Sequence, residues 1–181
     1  MQQEINVRSN RRGVLARGLL VLAGLAVMGT AVAKEPRKAE LAALLDKQQI
    51  TEVLSRYAAA VDGKDYKGLD EVFVADATAY YGFGDTIKGR AAIADFVKAT
   101  MVKTSTSQHL VGNVRITLDG DKATSKCYLQ AILVGLGDYK GQSVMLWGEY
   151  RDRLERRPEG WRIVHRELAA FHATGDIGLG K

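Results

Sequence analysis

Residues 107–136, SQHLVGNVRITLDGDKATSKCYLQAILVGL, decide how the chain folds. The runs 109–118 and 123–136 read as strands, and Asp119-Gly120-Asp121 between them has the composition of a tight turn. Toward the C-terminus the pattern repeats at 143–156 and 161–171, with breaks at 137–141 and at Pro158-Glu159-Gly160. Strands joined by such short connections pair with their sequence neighbours, so these four predict consecutive hairpins of one antiparallel sheet. Several are long, and long strands twist and curl.

Toward the N-terminus the period changes. Leu41, Leu44, Leu45, Val53, Leu54, Tyr57, Ala58 and Val61 recur at helical spacing and predict one long helix, or two abutting, over 38–61. Asp62-Gly63-Lys64-Asp65 supplies a turn, and Leu69, Val72 and Phe73 mark a short second helix. A brief strand at 77–81, a turn at Gly82-Phe83-Gly84-Asp85 and a third helix at 91–101, with Ile93, Phe96 and Val97 on one side, complete the order. Helices placed before a meander cover one face of its sheet, which is the α+β arrangement. On the concave side of a curled sheet they enclose a pocket at one end. The convex face stays uncovered, with Val144, Leu146 and Tyr150, or their alternates, exposed there; a homodimer, or a trimer, through that face is the expectation.

Residues 1–17 carry Arg8, Arg11, Arg12 and Arg17 against Glu4, and an uncharged run from 18 to 33 follows. A basic segment, an apolar segment and the small-x-small ending Ala31-Val32-Ala33 predict a signal peptide cleaved after Ala33. Asn10-Arg11-Arg12-Gly13-Val14-Leu15 resembles a twin-arginine export signal, with Val14 where that signal usually has Phe; the general secretory route stays open. The apolar run is short and diluted by Gly18, Gly24 and Gly29, so a periplasmic protein without a permanent membrane anchor is expected. Cleavage removes four arginines and one glutamate, taking the formal charge from +5 to +2. No basic stripe interleaved with aromatics remains, which removes the case for nucleic acid. The remainder has the length of one domain, with 34–174 the folded part and the glycine-rich 175–181 a flexible tail. Cys127 is the single cysteine, which excludes an internal disulfide, and its alternating apolar surroundings predict a buried, inert thiol.

Few residues have the chemistry of a site. Asp62 follows the apolar stripe of the first helix, and a helix C-terminus is electrostatically the wrong end for an acid. It reads either as a solvated turn carboxylate or as a carboxylate at a cavity edge whose raised pKa suits general base work. His109 opens a strand, as a structural residue or as a proton-transfer group. His165 and His172 lie an odd number of residues apart and face opposite sides of a regular strand, so no metal site with His109 is expected. Periodicity groups Arg166 with His172 and His165 with Phe171 without saying which set faces inward. Tyr57, Tyr80, Tyr81 and Tyr128 have phenols able to donate to a developing oxyanion.

Four stretches together resemble the SnoaL-like branch of the nuclear transport factor 2-like superfamily, which includes scytalone dehydratase and bile acid 7α-dehydratase. They are Gln49-Ile50 through Arg56-Tyr57 to Asp62-x-x-Asp65, Gln108-His109-Leu110-Val111-Gly112-Asn113, Asp119-Gly120-Asp121-x-Ala123, and Gly148-x-Tyr150-x-Asp152 running to Gly160-Trp161-Arg162-Ile163. The resemblance implies a cone-shaped curved sheet, antiparallel or mixed, with three N-terminal helices around the pocket. By similarity to scytalone dehydratase, Asp62 and His109 match an aspartate and a histidine that act on substrate, and Tyr81 matches a helping tyrosine. The other tyrosine is Val61 here, and the second histidine falls among apolar residues near Leu133. By similarity to the bile acid enzyme, Tyr57 and Arg166 join the candidates.

The expected activity is therefore a cofactor-independent lyase of dehydratase type, or an isomerase. Asp62 and His109 would work as an acid/base pair on a small apolar, aromatic or polycyclic molecule, with both side chains pointing into one cavity. The alternative is a non-catalytic periplasmic binding or accessory protein that uses the same pocket.

Overall fold

A computed structural model describes residues 34–179, with side chains from Arg37 onward. The expected signal peptide lies outside the described residues. The chain divides into two units after Ala42, and the second holds everything that follows except the N-terminal part of α1. The elements are α1 (Lys34–Asp62), a 3₁₀ helix (Tyr66–Glu71), β1 (Phe73–Tyr80), β2 (Ile87–Lys88), α2 (Arg90–Met101), β3 (Thr104–Asp119), β4 (Lys122–Gly135), a 3₁₀ turn (Gly137–Tyr139), β5 (Ser143–Arg157) and β6 (Gly160–Thr174). The short second helix expected near Leu69 is this first 3₁₀ segment, and Phe73 already belongs to β1.

Among the described residues six strands form one curved, open sheet in the order β2-β1-β6-β5-β4-β3. β3 to β6 pair antiparallel as the turns require, while β1 lies parallel to β6, so the sheet is mixed. The stripe of α1 is buried from Ile50 onward, at Ile50, Val53, Leu54, Tyr57 and Val61, whereas Leu44 and Leu45 are exposed. Packing starts where Asp46 is clamped: Arg156 donates to both of its oxygens at 2.6 Å and Trp161 Nε1 donates to Oδ1 at 3.1 Å. α2 buries Ile93, Val97 and Met101, spaced by four residues along one face.

Two irregularities decide which side chains face inward. The β3–β4 register shifts between Gly112 and Arg115, where Asn113 takes a left-handed φ of 51°. Inward positions are therefore odd before the shift, at His109 and Val111, and even after it, at Val114, Ile116 and Leu118. The β5–β6 register shifts in the same way between Arg153 and Leu154, so Trp161 and Ile163 are buried on one parity and Arg166 and Leu168 on the other. An extra residue in one strand reverses its alternation and bends it, which curls the sheet.

The outer face holds Leu110, Tyr128 and Phe171, all exposed. Of the outer-face alternatives, Val144, Leu146 and Tyr150 turn out to face inward and line a cavity. The glycine-rich end also departs from expectation as far as Leu179. Gly175 turns at φ 83°, where a Cβ would collide with Ser143 O, and Ile177 returns to full burial. Lys103 Nζ then donates to Gly178 O at 2.6 Å.

Candidate active site

The last turn of α1 is closed by Gly63 N–H donating to Ala59 O at 2.9 Å and by Asp65 N–H donating to Ala60 O at 2.9 Å. This turn delivers Asp62 to β3. β3 is an edge strand, with β4 on one side only, so some of its N–H groups have no ladder partner. Asp62 satisfies one of them. Its Oδ2 accepts the His109 main-chain N–H at 2.8 Å, while Oδ1 lies 2.7 Å from His109 Nδ1 and accepts the Ser107 hydroxyl at 2.8 Å. Ser107 and His109, two residues apart on one strand, share a face and reach the same carboxylate.

This geometry fixes the histidine. An ionised carboxylate only accepts, so Nδ1 carries the proton it donates to Oδ1, and Nε2 is the nitrogen with the free lone pair. The assignment requires Asp62 to stay ionised, and it does. Burial pushes its pKa up, but hydrogen bonds from the His109 ring, the His109 N–H and Ser107 outweigh burial and hold the carboxyl below its usual range. The raised pKa expected for Asp62 as a general base is thus reversed, because three hydrogen bonds reach the carboxylate.

His109 lines an apolar cavity of about 220 Å³. Asp62 does not. It opens instead on a separate groove with Thr106, Ser107, Gln108, Ile132 and Val134. The His109 side chain is 7 % exposed and that of Asp62 24 %, so the carboxylate is the member nearer to solvent. The structure brings the two residues together as a dyad but corrects the expectation that both reach into one cavity.

Tyr57 and Tyr81 line the cavity with their hydroxyl oxygens 3.1 Å apart. Tyr150, which was not among the tyrosine candidates, stands beside them on the wall. Burial pushes the Tyr81 and Tyr150 phenols well above their usual range, neighbouring Tyr57 adding to it and the charge of Arg166 opposing it. They are neutral hydrogen-bond donors at ordinary pH. Tyr128 lies outside, edge-on to Phe171 and under Arg115. Val61 and Leu133, where the resemblance implies a tyrosine and a second histidine, both line the cavity as apolar groups. Phe96 stacks on Tyr81 at 5.0 Å between ring centres and meets Phe83 at 5.8 Å, extending an aromatic wall.

Arg166 is not in the cavity. Its guanidinium is fully buried and donates to both oxygens of Asp152 at 2.8 Å. It sits 4.1 Å from the ring centres of both Tyr57 and Tyr150, a cation held behind the tyrosine wall. Arg166 therefore supports the tyrosines and does not touch a molecule in the cavity. His165 pairs with Thr78 at 2.7 Å, and His172 stacks on Trp147. Cys127 is buried as expected, and burial raises its thiol to about 11. Among the described residues no group of three or more His, Cys, Asp or Glu side chains is placed to hold a metal ion.

A curved, open, mixed sheet backed by helices is the nuclear transport factor 2-like fold. The chain belongs within it to the SnoaL-like domain family, whose sequence model matches residues 42–167. An uncharacterized protein of Mycobacterium tuberculosis is 32 % identical over 128 residues, covering 70 % of this chain and 86 % of that one. Among solved structures, a nuclear transport factor 2-like superfamily protein from Salmonella enterica is 26 % identical with a TM-score of 0.66, covering 77 % of this chain and 99 % of that one. A scytalone dehydratase-like protein from Novosphingobium aromaticivorans is 20 % identical with a TM-score of 0.68, covering 74 % and 89 %. The hexachlorocyclohexane dehydrochlorinase LinA-type3 from Novosphingobium barchaimii is 21 % identical with a TM-score of 0.63, covering 78 % and 93 %. At such identities the last two show a shared fold.

Proposed function

We propose that the protein is a cofactor-independent lyase of dehydratase type acting on a neutral, largely apolar ring substrate. The observation that carries this is the dyad: Asp62 occupies Nδ1 of His109 while the ring stands in the cavity wall. Nε2 takes a proton from the carbon beside a carbonyl, and electron density moves onto the carbonyl oxygen. The Tyr57–Tyr81 pair stabilises that oxygen, one hydroxyl donating to it while the other donates within the pair. The imidazolium, held by the Asp62 carboxylate, then returns its proton to the departing β-hydroxyl. The C–H and C–O bonds break, a C=C bond forms, water leaves and His109 ends neutral. One imidazole thus serves in turn as base and acid, which suits a cavity where Val61 and Leu133 replace other polar groups. Isomerisation uses the same first step, with the proton returned to a distal carbon.

The names of two fold neighbours, a dehydratase and a dehydrochlorinase, support elimination chemistry by analogy. The test uses 4-hydroxy-2-tetralone, whose dehydration gives fluorescent 2-naphthol. Wild type is expected to accelerate it; His109→Ala loses about 10²- to 10⁴-fold in kcat and Asp62→Asn a smaller part, with circular dichroism unchanged. Full activity in His109→Ala would remove His109 from the chemistry, and no acceleration by wild type would leave the pocket as a binding site only.

Two further parts of the proposal stand apart from the chemistry. The domain is exported and cleaved, so the mature chain should be recovered from the periplasm and begin at Lys34; an intact N-terminus there would contradict cleavage, and recovery from the cytoplasm alone would contradict export. Leu110, Tyr128 and Phe171 on the outer face form a homodimer contact, so Phe171→Asp should halve the mass seen by light scattering. An unchanged mass would exclude that face.

A further inference from the structure

We propose that Ser107 is a positioning residue of this site, acting on His109 only through Asp62. The inference rests on the reading of His109 as the proton-transfer group. Asp62 Oδ1 is the shared atom: it accepts from His109 Nδ1 at 2.7 Å and from Ser107 Oγ at 2.8 Å. Oδ1 also belongs to a carboxylate that is one-quarter exposed and borders an outer groove, so water competes for its lone pairs. Ser107 takes the place that water would occupy with a donor fixed to the strand. Hydrogen bonds to ionised groups are the stronger kind, and one supplied by a strand needs no reordering as the imidazole charges.

The position of the carboxylate makes a third donor useful. Asp62 closes α1, where the helix carbonyls repel an anion. Its other bonds come from the His109 ring on Oδ1 and from the His109 main-chain N–H on Oδ2, so Oδ2 is tied to the strand backbone while Oδ1, the atom that holds the ring, has Ser107 as its link to β3. Ser107 fixes that oxygen from a second point on β3, two residues earlier. Without it, Oδ1 turns toward water, the Nδ1 bond weakens, and the imidazole begins to populate the tautomer protonated at Nε2, which has no lone pair for the substrate. Ser107 lines the groove and not the cavity, so its influence falls on the chemical step and leaves substrate binding alone.

The decisive experiment needs no substrate. The ligand-free protein is labelled with ¹⁵N-histidine, the His109 ring signals are identified by their loss in His109→Gln, and tautomer and N–H exchange rate are read at a pH high enough that the ring is neutral. Wild type and Ser107→Thr should both show a single tautomer protonated at Nδ1; Ser107→Ala should show both tautomers with faster exchange. An unchanged tautomer and exchange rate in Ser107→Ala overturns the proposal. In 4-hydroxy-2-tetralone turnover, Ser107→Ala should lower kcat roughly tenfold with KM within about twofold, and Ser107→Thr should restore it. A raised KM with unchanged kcat also overturns it, by making Ser107 a binding residue. If wild type and His109→Ala do not differ on the tetralone, the lyase reading fails while the tautomer measurement still decides the role of Ser107.

Discussion

Two acid–base pairs, one at the centre of this sheet and one at its edge, differ in what surrounds them. Asp152 and Arg166 face each other from β5 and β6 in the middle of the sheet, both buried, joined by two bonds of 2.8 Å and flanked by the rings of Tyr57 and Tyr150. Asp62 and His109 meet at the open edge, where β3 has no further neighbour. In the central pair the acid spends both oxygens on one partner, and neither side chain reaches a cavity. In the edge pair the acid faces a solvent groove while the base keeps one ring nitrogen for the apolar cavity. Burial and charge pairing alone do not mark a reaction centre. The central pair also leaves an atom over, since the buried Arg166 Nη1 has no hydrogen-bond partner; what distinguishes the edge pair is that its leftover atom is a ring nitrogen able to take up a proton, on a side chain that lines the cavity.

That contrast is breakable. The largest effect is expected at the centre: Asp152→Ala strands the Arg166 charge inside the core and should cost about 3–5 kcal/mol in urea unfolding. A loss under about 1 kcal/mol would mean that water reaches the pair and that the two environments are alike. At the edge, Asp62→Asn should cost only about 1 kcal/mol at pH 7, because that carboxylate is partly solvated. A loss as large as that of Asp152→Ala would make the dyad a structural element. The smallest effect sharpens the comparison through pH. The folded pKa of Asp62 is lowered, so its contribution to stability is complete above the unfolded value of about 3.9 and is lost as pH falls through the lower folded value. The Tm gap between wild type and Asp62→Asn should therefore close below about pH 4; a gap that widens in acid contradicts the assigned direction.

Much of this was legible in the sequence. The turns at 119–121 and 158–160 separate the long strands, and α1 and α2 follow from their apolar spacing. Asp62 and His109 were visible as an acid at the wrong end of a helix and a histidine early in a strand, and the family resemblance joined them. Their division of labour was not visible, since it depends on an edge N–H of β3 that only strand order reveals. The inward face of β6 was also hidden: the register shift near Val164 puts Ile163 and Arg166 on the same side, which strict alternation forbids. The side taken by Tyr150 was left open for a related reason, as either face of β5 reads as apolar. Ser107 had a signal that went unused, a hydroxyl two residues before a candidate histidine on the same strand.

The central claim is that His109 Nε2 removes a proton from a carbon held in the apolar cavity. Deuterium uptake into 2-tetralone in D₂O, followed by mass spectrometry, measures that step without requiring a leaving group. Wild type is expected to exchange the α-protons well above the buffer rate and His109→Ala to fall back to it. Equal exchange by wild type and His109→Ala would contradict the account.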